Sequence, residues 1–265
     1  MPYIEERCIA GHVITIRRYH TLRYNCKGEK RADRAKLTSE TQEKINKNNA
    51  ERKLAALMNA NFTDETGQLV TYTYKKDLRP PTEEDMQADI RNMLKKLRKE
   101  LGQVKYIYVK EIGPKGATHI HMIMDTCPAD VLKKCWGKGY VDIKPLDSDN
   151  DYTDIAKYFM KYSNATEKTL GKRSGKRWQS SRNLKKPIIK KRVVNANTFS
   201  TKVKKSTKHK YEKEGYYMVA GSEQTGYTEF GFPYYSIKFR KNTKGRYKRG
   251  GSKYIRPDDS TWSSS

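Results

Sequence analysis

Between Gln68 and Ser163 the hydrophobic and polar residues follow two different periods in turn. A period of two, in β-branched and apolar segments, predicts strands at "QLVTYTY", "VKYIYVKE", "THIHMIMD" and "YVDIKPLD". Helical spacing predicts helices at "TEEDMQADIRNMLKKLRKELG", which ends in a glycine, at "PADVLKKCW", which opens with a proline, and at "DYTDIAKYFMKYS". The resulting order is β-α-β-β-α-β, with one more helix behind it.

This order is the split βαβ arrangement, also called ferredoxin-like or RRM-like. It predicts an α+β fold with a central antiparallel sheet, helices on one face of that sheet and the other face open. A helical prefix on the N-terminal side and a basic extension on the C-terminal side complete the prediction.

The first sixty residues are expected to be mostly helix and polar linker, with a strand signal only at Val13–Ile16. Ser39, followed three residues later by Gln42, has the spacing of a capping box, and the helix that it opens ends in "LAALMNA". The predicted units are therefore an N-terminal prefix at 1–60, the main domain at 61–187, a basic and β-rich accessory region at 188–240, and a disordered tail at 241–265.

Two histidines stand one residue apart in "THIHMIMD". Side chains alternate along a strand, so His119, His121 and Ile123 share one side. If the loop "GPKGA" reverses the chain so that Glu111 pairs with His119, the carboxylate lies on the same face. Two imidazoles and one carboxylate suit a divalent cation such as Mg²⁺ or Mn²⁺. Histidine pairs on strands are also common without a metal, so the sequence leaves both interpretations open.

The last predicted helix has one apolar and one polar arc. Tyr158 lies on the polar arc with Lys161, opposite Phe159, so we expect it outside the core. Tyr162 lies at the boundary and is either a second functional hydroxyl or a packing residue. A tyrosine has a reference pKa of about 10, and the positive charge expected near Tyr158 would favour its phenolate.

The formal net charge of +26 and the isoelectric point near 9.8 indicate a polyanionic partner. No apolar run approaches the roughly 18 residues that span a bilayer, so nucleic acid is favoured over a membrane. The segment from Lys172 to Lys210 is rich in lysine and arginine, and the tyrosines beyond it are assigned to packing in a hairpin. The predicted nucleic-acid contacts are Lys172, Arg173, Lys176, Arg177, Trp178, Arg182, Lys185 and Lys186.

The sequence argues against two further kinds of binding site, a nucleotide-binding loop and a structural zinc site. "GKRSGKR" lacks the glycine spacing of a nucleotide-binding loop, and Arg177 stands where that loop needs serine or threonine. The four cysteines show no C-x-x-C spacing, which suits reduced thiols in the cytoplasm and argues against structural zinc.

Several of these segments together resemble one superfamily. "HIHMIM" is similar to the His-hydrophobe-His motif, and "YFMK" to the Y-x-x-K motif, of HUH endonucleases, which include the rolling-circle replication initiators. Glu111 stands where viral and plasmid initiators carry a third metal ligand, and "LVTYTY" is similar to their first-motif strand. "YFMKY" resembles the paired-tyrosine version of some small single-stranded-DNA phages. The likeness covers most of Ile45 to Pro187 and extends to replication-associated proteins of bacterial plasmids.

The resemblance implies a metal-dependent DNA endonuclease and nucleotidyltransferase that initiates rolling-circle replication. Tyr158 would attack a DNA phosphorus and form a 5′-phosphotyrosine, Lys161 would neutralise phosphate charge or help to position the group bound to the metal, and Tyr162 would act as a second nucleophile. Its implied partners are single-stranded DNA or an origin hairpin, together with a host helicase and polymerase. Two alternatives remain: a transposase or relaxase of the same superfamily, and a non-catalytic module that binds single-stranded nucleic acid.

Overall fold

The computed structural model describes residues 2–21, 40–113, 116–146, 151–170, 176–228 and 230–243. Within them, the α-helices are α1 Glu40–Asn59, α2 Glu83–Leu101, α3 Ala129–Trp136, α4 Thr153–Leu170 and α5 Thr201–Lys213. The strands are β1 Tyr3–Ala10, β2 Val13–His20, β3 Gly67–Tyr74, β4 Tyr106–Ile112, β5 Thr118–Asp125, β6 Gly139–Pro145, β7 Gln179–Ser180, β8 Ile188–Val194, β9 Tyr216–Met218, β10 Gln224–Tyr227 and β11 Pro233–Lys241. The α+β class with antiparallel sheets is confirmed.

One sheet is built from the segment that the sequence predicts as split βαβ. Its strand order is β6-β3-β5-β4-β7, and every pairing is antiparallel. Strands β3 and β4 therefore run parallel with β5 between them, which is the defining feature of a split βαβ unit. The predicted helices and strands of this segment are all present, with small shifts at their ends.

Helices cover both faces of this sheet, whereas the sequence predicts one open face. Helices α2 and α3 pack on the face that carries Tyr72, Ile120 and Met122. On the opposite face, Leu54 and Met58 of α1 and Phe159 of α4 form a second core with strands β4 and β5. The histidine side of β5 therefore lies under α4 and is only partly accessible.

The N-terminal segment differs from the expected helical prefix. Val13–Ile16 belongs to β2, a full eight-residue strand that forms a hairpin with β1. This hairpin joins strands from the C-terminal region in a second sheet of order β10-β11-β2-β1-β8, with β9 paired to β11. Helix α1 is described from Glu40, and Ser39 of the proposed capping box lies outside the described residues, as does most of the predicted 241–265 tail.

The two sheets meet at the ends of α1 and α4. Gly11 in the β1–β2 turn lies so close to α1 that a Cβ there would be 2.2 Å from the carbonyl oxygen of Asn59. Lys238 of β11 donates to Asp151 just before α4, with 2.6 Å between Nζ and Oδ2. These contacts attach the second sheet to the start of the helix that carries Tyr158. Among the described helices, none is long and apolar enough to cross a membrane.

Candidate active site

The face of the first sheet under α4 carries two rows of side chains. Directly paired residues of antiparallel strands point to the same side, so the register fixes the members of each row. The first row contains Tyr140, Thr73, His119 and Glu111, and the second contains Asp142, Thr71, His121 and Val109. The sequence prediction that Glu111 pairs with His119 is confirmed by the register.

Each histidine is oriented by a threonine of β3. Thr71 Oγ1 lies 3.3 Å from Nδ1 of His121, and Thr73 Oγ1 lies 3.0 Å from Nδ1 of His119. A hydrogen bond at one ring nitrogen fixes the ring and leaves the other nitrogen for a ligand. Nε2 is therefore the nitrogen of each ring that no threonine contacts.

The carboxylate of Glu111 reaches His121. Oε2 of Glu111 lies 2.8 Å from Nε2 of His121, whose side chain is 2% exposed. Two ligands at right angles on an ion at about 2.1 Å are about 3.0 Å apart. Glu111 and His121 are thus spaced as neighbouring ligands, and an oxygen-nitrogen donor set fits Mg²⁺ or Mn²⁺.

His119 is the third member of the predicted metal site. Its pKa is lowered, first because burial disfavours the charged ring, and also because His121 and Arg79 are close, although Glu111 acts in the opposite direction. The neutral imidazole is the form that binds a metal. Within the described ranges, no group of three His, Cys, Asp or Glu side chains is arranged to hold an ion as it stands. Glu111, His119 and His121 therefore do not form a closed three-ligand site as they stand.

Both tyrosines of α4 contact His121. The ring centroid of Tyr162 lies 4.3 Å from that of His121 in a stacked arrangement, and the Tyr158 centroid lies 5.3 Å away, edge-on. The two tyrosine rings are 4.4 Å apart. Residues four apart lie on one side of a helix, which places both phenols over the same histidine.

The pKa of Tyr158 is raised, in contrast to the expected effect of nearby positive charge. Burial is the main cause, followed by a hydrogen bond to Tyr162 and by the negative charges of Glu111 and Asp142. The protein groups around Tyr158 therefore favour its protonated phenol form.

Thr166 connects α4 to the strand that carries Glu111. Its Oγ1 accepts from the backbone N–H of Ile112 and donates to the carbonyl oxygen of Lys110, both at 3.0 Å. Strand β7 pairs with β4 only at Ile107 and Tyr108. Thr166 therefore supplies hydrogen-bond partners to backbone groups of β4 that lie beyond the end of β7. These two hydrogen bonds fix the backbone on both sides of Glu111.

The other predicted site residues lie around this centre in different ways. Lys161 is exposed on α4, and Lys176, Arg182, Lys185 and Lys186 are exposed beyond it, whereas Lys172 and Arg173 lie outside the described residues. Trp178 is partly buried and packs against the second core. The side chain of Arg177 is also partly buried, and its Nε has no hydrogen-bond partner among the described residues.

Sequence reasoning missed Tyr140 and Asp142, which share the histidine face from the edge strand β6. Their alternation in "YVDIKP" was visible, but their side of the sheet depends on the register of β6 with β3. The two threonines were likewise part of the predicted strand "QLVTYTY" without an assigned role.

Residues 67–167 match the family model of replication-associated protein ORF2/G2P. The matched segment begins at β3 and contains both histidines, Glu111, the two tyrosines and Thr166. Comparison with curated proteins and with solved structures gave no match. The site-bearing segment is therefore similar to replication-associated proteins of this family.

Proposed function

We propose that this protein is an HUH-type initiator that nicks and rejoins single-stranded DNA through a 5′-phosphotyrosine. The observation that carries the proposal is the contact of two tyrosines with His121, Tyr162 stacked on the ring and Tyr158 edge-on, beside Glu111. Two nucleophiles beside a carboxylate and imidazoles form an arrangement suited to transfer of a phosphodiester.

In the proposed reaction Tyr158 Oη attacks the phosphorus and the bond from phosphorus to the 3′-oxygen breaks. The phenol loses one proton and the 3′-oxygen takes one up, so the products are a phosphotyrosyl ester and a free 3′-hydroxyl. Attack by that hydroxyl, or by another, reverses the step and rejoins a strand without ATP.

Glu111, His121 and His119 would hold the divalent cation, most simply Mg²⁺ or Mn²⁺. When bound, the cation supplies positive charge that stabilises the developing negative charge of the phosphate. Lys161 would neutralise part of the negative charge of the phosphate. The raised pKa of Tyr158 fits a reaction in which the cation supplies the positive charge, because the phenol then stays protonated until DNA and cation are in place.

Tyr162 would be the nucleophile in the second transfer of the DNA phosphate. Its ring lies nearer to His121 than that of Tyr158 does, and the two rings touch. Both hydroxyls can therefore reach one phosphate in turn, and a second attack would release Tyr158 after one round.

The test is a covalent-adduct assay with labelled single-stranded oligonucleotides and Mn²⁺. Wild type should give a protease-sensitive adduct at the 5′ end of the fragment that lies 3′ to the break, and Tyr158→Phe should give none. Tyr162→Phe should nick once and fail to transfer the strand on a two-site oligonucleotide. Tyr227→Phe is the control, since Tyr227 is 76% exposed on the other sheet.

The same assay addresses the alternatives. A protein that binds DNA but forms no adduct under any metal condition is a non-catalytic module. The transposase and relaxase alternatives share the chemistry, and the family match favours replication over both.

A further inference from the structure

Tyr140 is an exposed aromatic residue in the first row of the candidate active site. Its side chain is 70% exposed, although it shares a sheet face with His119 and Glu111. A large ring that is left this open contributes little to folding, and a flat ring beside a site for unpaired DNA offers a surface on which a base can stack.

The position of Tyr140 is fixed by the glycine before it. A Cβ on Gly139 would lie 2.1 Å from the carbonyl oxygen of Thr73, so only glycine lets β6 approach β3 this closely. Thr73 is also the residue that orients His119. Tyr140 is thus held two strands from His119, about 10 Å across the sheet.

Arg79 lies beyond the same end of β3. It follows the short 3₁₀ helix Lys76–Leu78, which begins two residues after β3 ends at Tyr74. Its Nε is buried and has no hydrogen-bond partner within the described part of the chain. A buried donor without a partner costs free energy, and a phosphate oxygen is the acceptor that a guanidinium matches best.

We infer that Tyr140 and Arg79 form a subsite for an unpaired nucleotide next to the scissile phosphate, with its base stacked on Tyr140 and a phosphate bound by Arg79. The subsite rests on the proposed function, because it takes its substrate from the same DNA strand. Its ligand is any nucleotide, since stacking uses the face of the base and not its edge.

The test measures binding in EDTA, so that it is independent of cleavage. Wild type and Tyr140→Ala are titrated with a cleavable oligonucleotide and with a series in which each nucleotide in turn lacks its base. Tyr140→Ala should bind the intact strand roughly 5- to 150-fold more weakly, which corresponds to about 1–3 kcal/mol of stacking. At one abasic position the two proteins should bind equally, and Tyr140→Phe should match wild type throughout.

Control measurements separate the subsite from folding and from general charge. The thermal midpoint of Tyr140→Ala should equal that of wild type, and Tyr227→Ala, which removes an equally exposed ring from the other sheet, should not weaken binding. Arg79→Gln should reduce the salt dependence by about 0.7 in the slope of log K against log salt.

The outcomes are distinct. Unchanged binding by Tyr140→Ala, or an equal loss at every abasic position, overturns the stacking subsite. An unchanged salt slope for Arg79→Gln overturns the phosphate contact. If wild type forms no adduct with Mn²⁺, the proposed function fails, whatever the binding series shows.

Discussion

Replacing Thr166 with valine would remove a hydroxyl and keep the shape of the side chain. Thr166 is 4% exposed, and its hydroxyl bonds the backbone on both sides of Glu111. Valine leaves the N–H of Ile112 and the carbonyl of Lys110 without this partner. Thr166→Ser keeps the hydroxyl and is the matched control.

The size of the effect follows from the burial of these two groups. A buried backbone group that loses its partner costs about 1–3 kcal/mol. Lys110 and Ile112 are only half-buried, and water can reach part of the strand edge, so we take about 1 kcal/mol for each. The free energy of unfolding should therefore fall by about 2 kcal/mol in Thr166→Val and by much less in Thr166→Ser.

The expected effect on the reaction is larger than the effect on folding. A shift of about 1 Å in a catalytic group costs roughly 100-fold in rate. If Thr166 positions Glu111 relative to α4, Thr166→Val should cleave about 100-fold more slowly and need more Mn²⁺ for half-maximal rate. Binding of single-stranded DNA in EDTA should stay unchanged.

The assay combines urea unfolding, followed by circular dichroism, with single-turnover cleavage over a range of Mn²⁺ concentrations. A variant that is less stable but cleaves with wild-type rate and metal dependence would refute the positioning role and leave Thr166 as a packing residue. Equal defects in Thr166→Val and Thr166→Ser would refute the hydrogen-bond argument.

Three further predictions concern the metal, the DNA and the second sheet. His121→Ala or EDTA should abolish adduct formation and spare DNA binding; cleavage that persists in EDTA would contradict the metal assignment. Binding should weaken steeply with salt, and loss of the exposed Arg182 and Lys186 together should reduce the slope of log K by about 1.4, at about 0.7 per contact, measured by fluorescence anisotropy. Glu5→Gln should cost about 3 kcal/mol in urea unfolding, because the buried Arg18 loses its charged partner 2.9 Å away, and an unchanged midpoint would contradict this. Burial alone would raise the pKa of Glu5, but its arginine partners hold it below the ordinary value of a glutamate. Wild type should therefore lose stability as the pH falls through that lowered pKa, and Glu5→Gln should lose less.

The sequence by itself determined the first sheet and which side chains share its histidine face. Alternation along "THIHMIMD" puts both histidines on one side, and a short reversal before it brings Glu111 opposite His119. Both inferences are local, since a strand has a period of two and a hairpin pairs neighbouring segments. The helical period of α4 likewise put Tyr158 and Tyr162 on one side without any knowledge of the fold.

Tertiary structure decided how this face is covered and which residues surround the tyrosines. Strand β1 pairs with β8 near residue 190, and β2 pairs with β11 near residue 235. No local period encodes a pairing over that distance in sequence. Burial of Tyr158 against the second core and the carboxylates on the sheet raise its pKa, although its own helix offers lysines. Charges act through space, and burial depends on every element that packs nearby. The environment of Tyr158 therefore forms only when distant segments have packed together. The same holds for the hydrogen bonds of Thr166 and for the position of Tyr140.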